Sequence, residues 1–523
     1  MLKSASADKA DPERVLGTVM GGTGPDNAAK PRVWMIQAFY RVYFHPLSRF
    51  PGPKIAAIST AWWEWYWNYV KNGRMVFEIE RLHEKHGPVI RIGVNDLHIS
   101  DPAIYQDMTR INSGFTKDPF FYQFISLPGT SIGETDPVKH RVRRKVLTPA
   151  FSTTRVRELA PIIQDKTEQL LARLSAANGP VCFTNAAKAY TLDIIGKIVL
   201  GREIGSLAKP DFISELSEHL QAAFAIGWIG PSFPFLSSIA LRVIQTLPLF
   251  IFPMPQVQFQ KACAKMTDTY LKKFHSNSSD GSSSFSTAHG ERSAVIDMLI
   301  DPAATKDYKV PAKAEVSDEL TMLLTAGSDT SSTAIISAIY YIQRHKSVLS
   351  ELRSELRGAF PSLQDEINYE NAKELPYLTA VIKEVLRLSH PLPGRLPRTI
   401  PSSGYSLYGN KLPRGTNLHM SAYLLNRDAG TWNDPHEFDP ARWMQGDSAD
   451  LDKHVATFGR GARQCLGKDL AWCELWVLLA NLFRRYKVQL TPECDTPKRE
   501  WVDIVIAQYP TKLYLTVMAV DEG

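Results

Sequence analysis

The stretch Phe458-Gly-Arg-Gly-Ala-Arg-Gln-Cys465-Leu-Gly467 stands near the end of the chain and runs directly into a long helical pattern. A cysteine at this place meets the backbone N–H groups and the dipole of a helix N-terminus, which favour the thiolate over the thiol. Gly459, Gly461 and Gly467 allow tight turns and a close approach of the backbone to a flat ligand. The stretch therefore predicts a metal-binding thiolate in a glycine-rich loop.

Cys465 lacks the partners that a structural zinc site needs, because Cys473 is the only nearby thiol and no histidine follows at finger spacing. A single thiolate suits the axial position of haem iron, where its electron donation favours cleavage of the O–O bond. A free cysteine is more often a buried, inert residue. That alternative leaves the surrounding glycines and arginines unexplained, so we interpret Cys465 as a haem ligand.

The composition describes one large globular domain, since 523 residues with 44% apolar and 22% charged residues can bury a sizeable core. The net charge of +6 is modest and no nucleic-acid-binding motif is present, which argues against nucleic acid as a partner. Five cysteines without paired spacing favour a reducing compartment. Met1 to Arg32 is polar, and the apolar stretch Val33 to Tyr43 is too short for a membrane span or a secretory signal.

Most of the remaining pattern is helical, and strand-like pieces are few and short. Val89 to Ile99 predicts short strands around a turn, and the Ser-rich segment His275 to Ser293 predicts a surface loop. We therefore expect a mainly α protein with small β-sheets. The predicted amphipathic helices are Arg74 to His86, Glu158 to Ala176, Asp211 to Ala225, Ser317 to Gln343, Ser347 to Phe360, Leu375 to Leu388 and Leu466 to Tyr486.

The cysteine loop resembles the haem loop of the cytochrome P450 superfamily, which has these residue types at the same spacing: Phe458, Gly461, Arg463, Cys465 and Gly467. The resemblance implies a single large cytochrome P450-type haem domain over residues 45–523, after an N-terminal extension, 1–44, without a clear transmembrane helix. It also implies haem b, iron protoporphyrin IX, as the cofactor. Cys465 would be the proximal iron ligand, Phe458 would pack near the sulfur, and Arg463 would pair with a haem propionate.

A second motif, Ala326-Gly-Ser-Asp-Thr330, lies inside the longest helical pattern. Ala326 and Thr330 share a helix face, and Gly327 should weaken the helix and open a groove. By resemblance this helix crosses the distal side of the haem, with Ala326 beside the cofactor. Asp329 and Thr330 would deliver the protons that O–O cleavage consumes. Alternatively, Thr330 merely bonds the preceding turn of its helix.

Glu384-Val-Leu-Arg387 places opposite charges on one helical face, which alone is a common surface pair. The resemblance implies instead that both are buried and join Arg442 to brace the haem loop. We assign these three residues to structure and not to catalysis.

Three further residues are candidates for the haem propionates by their position in the family pattern. Arg398 follows a proline-rich stretch, and a bidentate guanidinium suits a carboxylate. Arg144 lies on an early helix together with His140. The family more often has Trp in place of His140, so the role of this residue is open, although an imidazole can also donate a hydrogen bond.

The expected substrate pocket is apolar, which favours a lipophilic substrate, with dioxygen as the second substrate. Each aromatic residue could equally belong to the core. The pocket candidates are Phe120, Phe121, Tyr122, Phe124, Phe224, Ile226, Trp228, Met322 and Leu323.

The haem domain occupies the whole chain, so the resemblance implies electron delivery by a separate NADPH-cytochrome P450 reductase. A patch of basic residues could dock an acidic flavoprotein or could simply be solvated. We expect a monomer. The patch candidates are Arg141, Arg143, Lys145, Arg460 and Lys468.

The apolar region Phe224 to Val257 is interrupted by prolines, and it predicts either a peripheral membrane contact or a buried helix-loop-helix. By resemblance we expect the cytosolic face of the endoplasmic reticulum membrane, or a soluble cytoplasmic protein if the N-terminus is complete. The style of the sequence is similar to filamentous-fungal members of the family, many of which oxidise terpenoids and other secondary metabolites.

Two other functions are compatible with a haem-thiolate site. One is an isomerase or lyase that needs no reductase, against which the Asp329 and Thr330 pair argues. The other is a non-catalytic haem sensor or carrier.

Overall fold

A computed structural model describes residues 29–122, 127, 129–224, 255–279, 294–306, 308–446 and 448–520. Helices account for most of these residues, as the sequence predicts. The helices are α1 Ala29–Tyr43, α2 Lys54–Ile58, α3 Thr60–Trp65, α4 Met75–His86, α5 Pro102–Thr109, α6 Pro119–Tyr122, α7 Pro137–Leu147, α8 Thr153–Ser175, α9 Phe183–Leu200, α10 Glu215–Phe224, α11 Pro255–Ser279, α12 Val295–Ile300, α13 Lys313–Arg344, α14 Lys346–Ala359, α15 Tyr369–Ala372, α16 Pro376–Ser389, α17 Ala422–Leu425, α18 Ser448–Asp452 and α19 Lys468–Arg485. A short π-helix, Tyr66–Val70, continues α3.

The strands are short and form small sheets at the edges of the helical body. A five-stranded sheet has the order β1-β2-β8-β5-β3, with β2 parallel to β8 and the other pairs antiparallel. A three-stranded sheet has the order β4-β12-β9, and β6–β7 and β10–β11 are separate pairs. The strands are β1 Val89–Arg91, β2 Asp96–Ile99, β3 Thr116–Lys117, β4 Val181–Cys182, β5 Arg398–Thr399, β6 Tyr405–Leu407, β7 Asn410–Leu412, β8 Asn417–His419, β9 Tyr486–Leu490, β10 Val502–Asp503, β11 Ala507–Gln508 and β12 Tyr514–Ala519.

The long helix α13 runs through the core, and α9 is its most extensive partner. Helix α9 is apolar around most of its circumference and is buried along nearly its whole length, as such helices are in large proteins. The two helices approach most closely at Gly327, where an added Cβ would lie 2.6 Å from Ile195. The expectation that Gly327 opens a groove is therefore wrong on the side that faces α9. There Ile195 occupies the space that a side chain at position 327 would take.

Most helix predictions from the sequence agree with the structure to within a few residues at each end. The predicted loop His275 to Ser293 starts too early, because α11 continues to Ser279. The rest of that segment and most of Phe224 to Val257 lie outside the described residues. Among the residues described, no helix combines the length and apolar character needed to cross a bilayer.

Candidate functional site

The loop that carries Cys465 is held by its own backbone. The amide of Cys465 donates to the carbonyl of Phe458 at 2.8 Å, and Gly459 and Gly461 have positive φ angles of 63° and 65°. A Cβ on Gly461 would lie 1.9 Å from the carbonyl oxygen of Thr109, so this glycine is required where the loop packs against α5. The close approach that Gly461 allows is therefore to another part of the chain.

The side chain of Cys465 is accessible, although dense protein surrounds it. Burial raises the pKa of the thiol above its ordinary value, while the Gly467 amide and the positive charges of Arg144 and Lys468 oppose that shift. Helix α19 begins at Lys468, as the sequence predicts. The favourable donors that we expected are thus present, and desolvation by the surrounding protein opposes them.

Two arginines fix the cysteine loop to the early part of the chain. Nη1 of Arg144, on α7, donates to the carbonyl of Gln464 at 2.7 Å, directly before the cysteine. Nη1 of Arg463 donates to the carbonyl of Glu134 at 2.7 Å. Both guanidiniums therefore have backbone acceptors that orient them beside the loop.

Cations gather at this place, and within the described ranges none of them forms an ion pair with a carboxylate. Strands β3 and β5 put Lys117 directly opposite Arg398, an arrangement of like charges that is unfavourable by itself. Nζ of Lys117 donates to the carbonyl of Ile132 at 2.5 Å and lies 4.3 Å from the ring centre of Tyr122. Nη1 of Arg398 donates to the hydroxyl of Tyr122 at 2.9 Å. Tyr122 thus separates and orients the two cations.

The charges of this cluster perturb one another. Burial and the neighbouring Arg398 lower the pKa of Arg463 to about 10, and burial with Arg398 and Arg463 holds the pKa of Lys117 far below its usual range. Burial and the same cations lower the pKa of His140 to about 3, so its imidazole is neutral and offers one N–H. Sequence reasoning missed Lys117, because no motif marks a single lysine in a two-residue strand.

The donor set fits haem. No carboxylate within the described part of the chain forms an ion pair with Lys117, Arg144, Arg398 or Arg463. Buried cations without counterions are costly unless an anionic group completes the site. Two propionates would supply that charge, and the thiolate of Cys465 would bind the iron. When bound, haem supplies the metal that activates dioxygen.

Thr330 and Asp329 occupy neighbouring faces of α13. Oγ1 of Thr330 donates to the carbonyl of Ala326 at 2.6 Å, which is the local bond that a threonine often makes in a helix. Asp329 is buried and turns toward α9, where its Oδ1 lies 3.0 Å from Nζ of Lys188. Its other oxygen, Oδ2, has no hydrogen-bond partner among the described residues. Lys188 is a second residue that sequence reasoning missed.

Glu384 and Arg387 are fully buried, Arg442 is partly buried, and the three are paired as the resemblance implies. The carboxylate of Glu384 accepts hydrogen bonds from Arg387 at 2.7 and 2.9 Å, from Arg442 at 3.0 Å and from Nε1 of Trp443 at 2.9 Å. Nη1 of Arg387 donates to the carbonyl of Asn426 at 2.9 Å.

Asn426 connects this network to the cysteine loop. Its side-chain oxygen accepts from the amide of Ala456 at 2.7 Å, and its nitrogen donates to Oγ1 of Thr457 at 2.9 Å, immediately before Phe458. The network of Glu384, Arg387 and Arg442 is therefore connected to the cysteine loop by an asparagine that sequence reasoning missed.

The predicted pocket residues fall into three groups. Phe121, Tyr122 and Leu323 are buried, and Met322 is half-buried. Phe120 is 58% exposed. Phe124, Ile226 and Trp228, together with the side chain of Phe224, lie outside the described residues. Phe121 and Tyr122 pack against Tyr69 and Val505 in a small hydrophobic cluster.

One residue of the predicted basic patch, Arg143, forms an ion pair inside the protein. Arg143 donates to the fully buried Glu319 at 3.2 Å, and Glu319 also accepts from the amide of Ser131 at 2.8 Å. This pair ties α7 to α13, so Arg143 serves the structure and does not dock a partner. Arg141 and Lys145 are exposed on the same helix.

A cysteine directly before a helix, a nearby cluster of cations and a long central helix are the features that the sequence led us to expect of a haem-thiolate protein. The chain belongs to the cytochrome P450 family, because the sequence model of the family described as Cytochrome P450 matches residues 58–515.

Fungal monooxygenases are among its relatives. The chain is 53% identical over 439 residues to cytochrome P450 monooxygenase sol6 of Alternaria solani, covering 83% of this chain and 93% of that protein. It is 30% identical over 492 residues to cytochrome P450 monooxygenase aneF of Aspergillus aculeatus, covering 93% and 97%. It is 32% identical over 490 residues to cytochrome P450 monooxygenase macH of Penicillium terrestre, covering 91% and 93%. The protein is accordingly a haem-thiolate monooxygenase, and the two other functions considered above are disfavoured.

Proposed function

We propose that this monooxygenase hydroxylates or epoxidises a lipophilic intermediate of fungal secondary metabolism, such as a terpenoid, at the cytosolic face of the endoplasmic reticulum. The observation that carries the proposal is the Cys465 loop, fixed by Arg144 beside a cation cluster in which no ion pair with a carboxylate forms among the described residues. The cluster suits the two propionates of haem b. The similarity to fungal monooxygenases supports the substrate class, and the buried aromatic residues Phe121 and Tyr122 suit an apolar compound.

We infer that Asp329 and Lys188 form the proton supply for Thr330. Lys188 is 21% exposed whereas Asp329 is 2% exposed, so the pair joins the buried centre of α13 to a residue that solvent can reach. A rotation of the Thr330 side chain away from the Ala326 carbonyl would free its hydroxyl to hold a proton on the haem side. This role needs hydroxyl and carboxyl groups on adjacent residues, as the motif provides.

Thr330→Ala should uncouple reduction from product formation. Without the hydroxyl, protons are no longer held in place, and we expect product per NADPH to fall by about tenfold or more while NADPH consumption continues and peroxide rises. The assay uses the holoenzyme, a cytochrome P450 reductase and the first compound of a terpenoid, polyketide and alkaloid panel that perturbs the haem spectrum.

Thr325→Ala is the matched control, because Oγ1 of Thr325 makes the same local bond, to Thr321 at 2.8 Å, on the same helix. Unchanged coupling in Thr330→Ala would contradict the proton-holding role. Turnover without any reductase would contradict the proposed electron source and favour an isomerase or lyase.

We propose that the reductase docks on the face that carries the cysteine loop. A cleft of about 470 Å³ lies there, and its walls include Arg460 and Lys468, neither of which forms an ion pair within the described residues. Arg141 and Lys145 add exposed positive charge on α7, which Arg144 ties to the loop. The cleft is lined by Thr153, Tyr369, Thr379, Lys383, Leu386, Asp452, Val455, Phe458, Gly459, Arg460, Gln464, Lys468, Asp469, Trp472 and Trp476.

The double variant Arg141→Glu with Lys145→Glu should weaken productive docking. At low salt we expect the KM for reductase to rise by about tenfold, with the difference shrinking as salt screens the charges. Reductase titrations of NADPH-supported turnover measure this effect. Lys411→Glu with Arg414→Glu makes the same charge change at exposed residues of another part of the surface, and it should leave the KM unaltered. Equal effects of the two pairs would contradict the docking face.

A further inference from the structure

A strained turn connects β10 to β11 close to the cation cluster. Val505, in this turn, has a φ angle of 85°, which a β-branched residue adopts only under strain. It packs with Tyr69, Phe121 and Tyr122, and we call these four residues the apolar cluster. Tyr122 also accepts the hydrogen bond from Arg398 of the cation cluster. Val505 is therefore kept in an unfavourable backbone conformation beside the residues that surround the haem site.

The carboxyl group of Asp503 binds the backbone of this turn. Its Oδ1 accepts a hydrogen bond from the amide of Val505 at 2.9 Å, and the amide of Asp503 donates to the carbonyl of Gly73 at 3.0 Å. An added Cβ on Gly394 would lie 2.6 Å from Oδ2 of Asp503, so this glycine leaves the room that the carboxyl group occupies. Asp503 is 2% exposed, and it therefore fixes Val505 from inside the protein.

Arg395, directly after Gly394, is the cation next to this carboxyl group. Its charge favours the ionised form of Asp503, and its guanidinium also pairs with the buried carboxyl group of Glu64. The centre of the guanidinium lies 5.5 Å from the ring centre of Phe121, within the range of a cation–π interaction. One arginine therefore connects Asp503 to a second residue of the apolar cluster.

The charges around Arg395 do not balance. Burial raises the pKa of both Asp503 and Glu64 to about 7, although Arg395 opposes the shift in each case. One guanidinium cannot neutralise two buried carboxylates, so this group of three binds and releases a proton around neutral pH. The other titratable residues that face it from neighbouring strands and loops are Asp96, Asp118, His98 and His419. Burial lowers the pKa of both histidines, so they add no positive charge there.

We propose that Asp503 is a positioning residue for the substrate site, and that its ionised carboxylate holds Val505 and, through Arg395, Phe121 in the arrangement that binds a lipophilic ligand. This inference rests on the proposed function, because it treats the apolar cluster as part of the site that receives the substrate. When Asp503 binds a proton, its charge-assisted hydrogen bond to Val505 becomes a weaker neutral one. The strained turn is then less firmly held, and ligand affinity should fall as the pH drops below about 7.

The test uses two ligands that bind haem iron through the same ring nitrogen: N-dodecylimidazole, whose alkyl chain requires an apolar site, and N-methylimidazole, which has no such chain. Spectral titration of the purified holoenzyme gives the Kd of each ligand at about pH 6 and about pH 8, on either side of the carboxyl pKa. Comparison of wild type and variant at the same pH cancels the titration of the ligand itself.

Asp503→Asn should raise the Kd of N-dodecylimidazole about tenfold at the higher pH, because the ionised acceptor of the Val505 amide is lost. At the lower pH the same change should have little effect, since an asparagine resembles a protonated aspartic acid. The Kd of N-methylimidazole should not change at either pH.

Two further variants separate positioning from general stability. Val505→Gly removes the strain and the side chain together, so adding Asp503→Asn to it should cause no further loss of affinity. Glu64→Gln leaves Arg395 to Asp503 alone, so the drop in affinity should move to lower pH. The matched control, Asp165→Asn, makes the same chemical change at an exposed residue of α8 and should leave both Kd values as in the wild type.

Circular dichroism and the haem spectrum check that each variant is folded. An Asp503→Asn protein that loses affinity equally at both pH values, or not at all, would overturn the proposal. Wild-type protein that binds N-dodecylimidazole no more tightly than N-methylimidazole would likewise overturn it. If Asp503→Asn does not fold, the pH profile of the ratio of the two Kd values decides, and a profile that Glu64→Gln does not shift contradicts the role. A terpenoid, polyketide and alkaloid panel without any bound compound would count against the proposed substrate class and not against this inference.

Discussion

Cys465→Ser should abolish the red-shifted absorption that we expect of the reduced wild-type protein with carbon monoxide, and monooxygenation should fall to background. We expect this result because a serine hydroxyl donates far less charge to iron than a thiolate, so the ligation that favours O–O cleavage is lost. Absorption spectra of the reduced, carbon monoxide-treated holoenzyme measure the first effect. Product formation with reductase measures the second.

Cys182→Ser is the matched control, because Cys182 is a half-buried thiol at the start of α9 that makes no part of the site. Its spectrum should equal that of the wild type. A native protein with an unshifted spectrum, or a Cys465→Ser protein that keeps the shift, would mean that another group binds the iron.

Glu384→Gln should cost about 3 to 5 kcal/mol of unfolding free energy, because it leaves the fully buried Arg387 and the largely buried Arg442 without their carboxylate. Chemical denaturation of the holoenzyme, followed by circular dichroism and by the haem band, measures this change in the free energy of unfolding. We also expect faster loss of haem, since Arg387 reaches the cysteine loop through Asn426.

The stabilisation by Glu384 has a defined pH range. Burial alone would raise the pKa of Glu384, but hydrogen bonds from Arg387 and the charges of Arg387 and Arg442 reverse this and lower the pKa below 4.5. The folded state therefore binds the proton less well than the unfolded state. The contribution is complete above the unfolded pKa and is lost as the pH falls through the folded value. Glu374→Gln, at an exposed glutamate close in sequence, should have little effect on stability at any pH.

Local sequence predicts those parts of the site that lie within one motif. The Cys465 loop, the start of α19 and the position of Thr330 on α13 all follow from residues close together in the chain. The buried state of Glu384 and Arg387 required the resemblance, because the same spacing is common on surface helices.

Contacts between distant segments could not be predicted in this way. Lys117 meets Arg398 only because β3 and β5 pair, and Lys188 meets Asp329 only because α9 packs on α13. The sequence places Arg143 among the candidates for the basic patch, because helical spacing does not reveal which face of α7 a neighbouring helix covers. The close packing at Gly327 was likewise hidden, because it depends on Ile195 of another helix.

The contact between Gly327 and Ile195 also constrains how this protein can change. One added methyl group at position 327 would push α9 away from α13 and lengthen the 3.0 Å gap between Lys188 and Asp329. Only a smaller residue at position 195 would restore the fit. The distance between Lys188 and Asp329 thus depends on positions 195 and 327, whose side chains carry no polar atom. These two positions should vary together among descendants of this sequence.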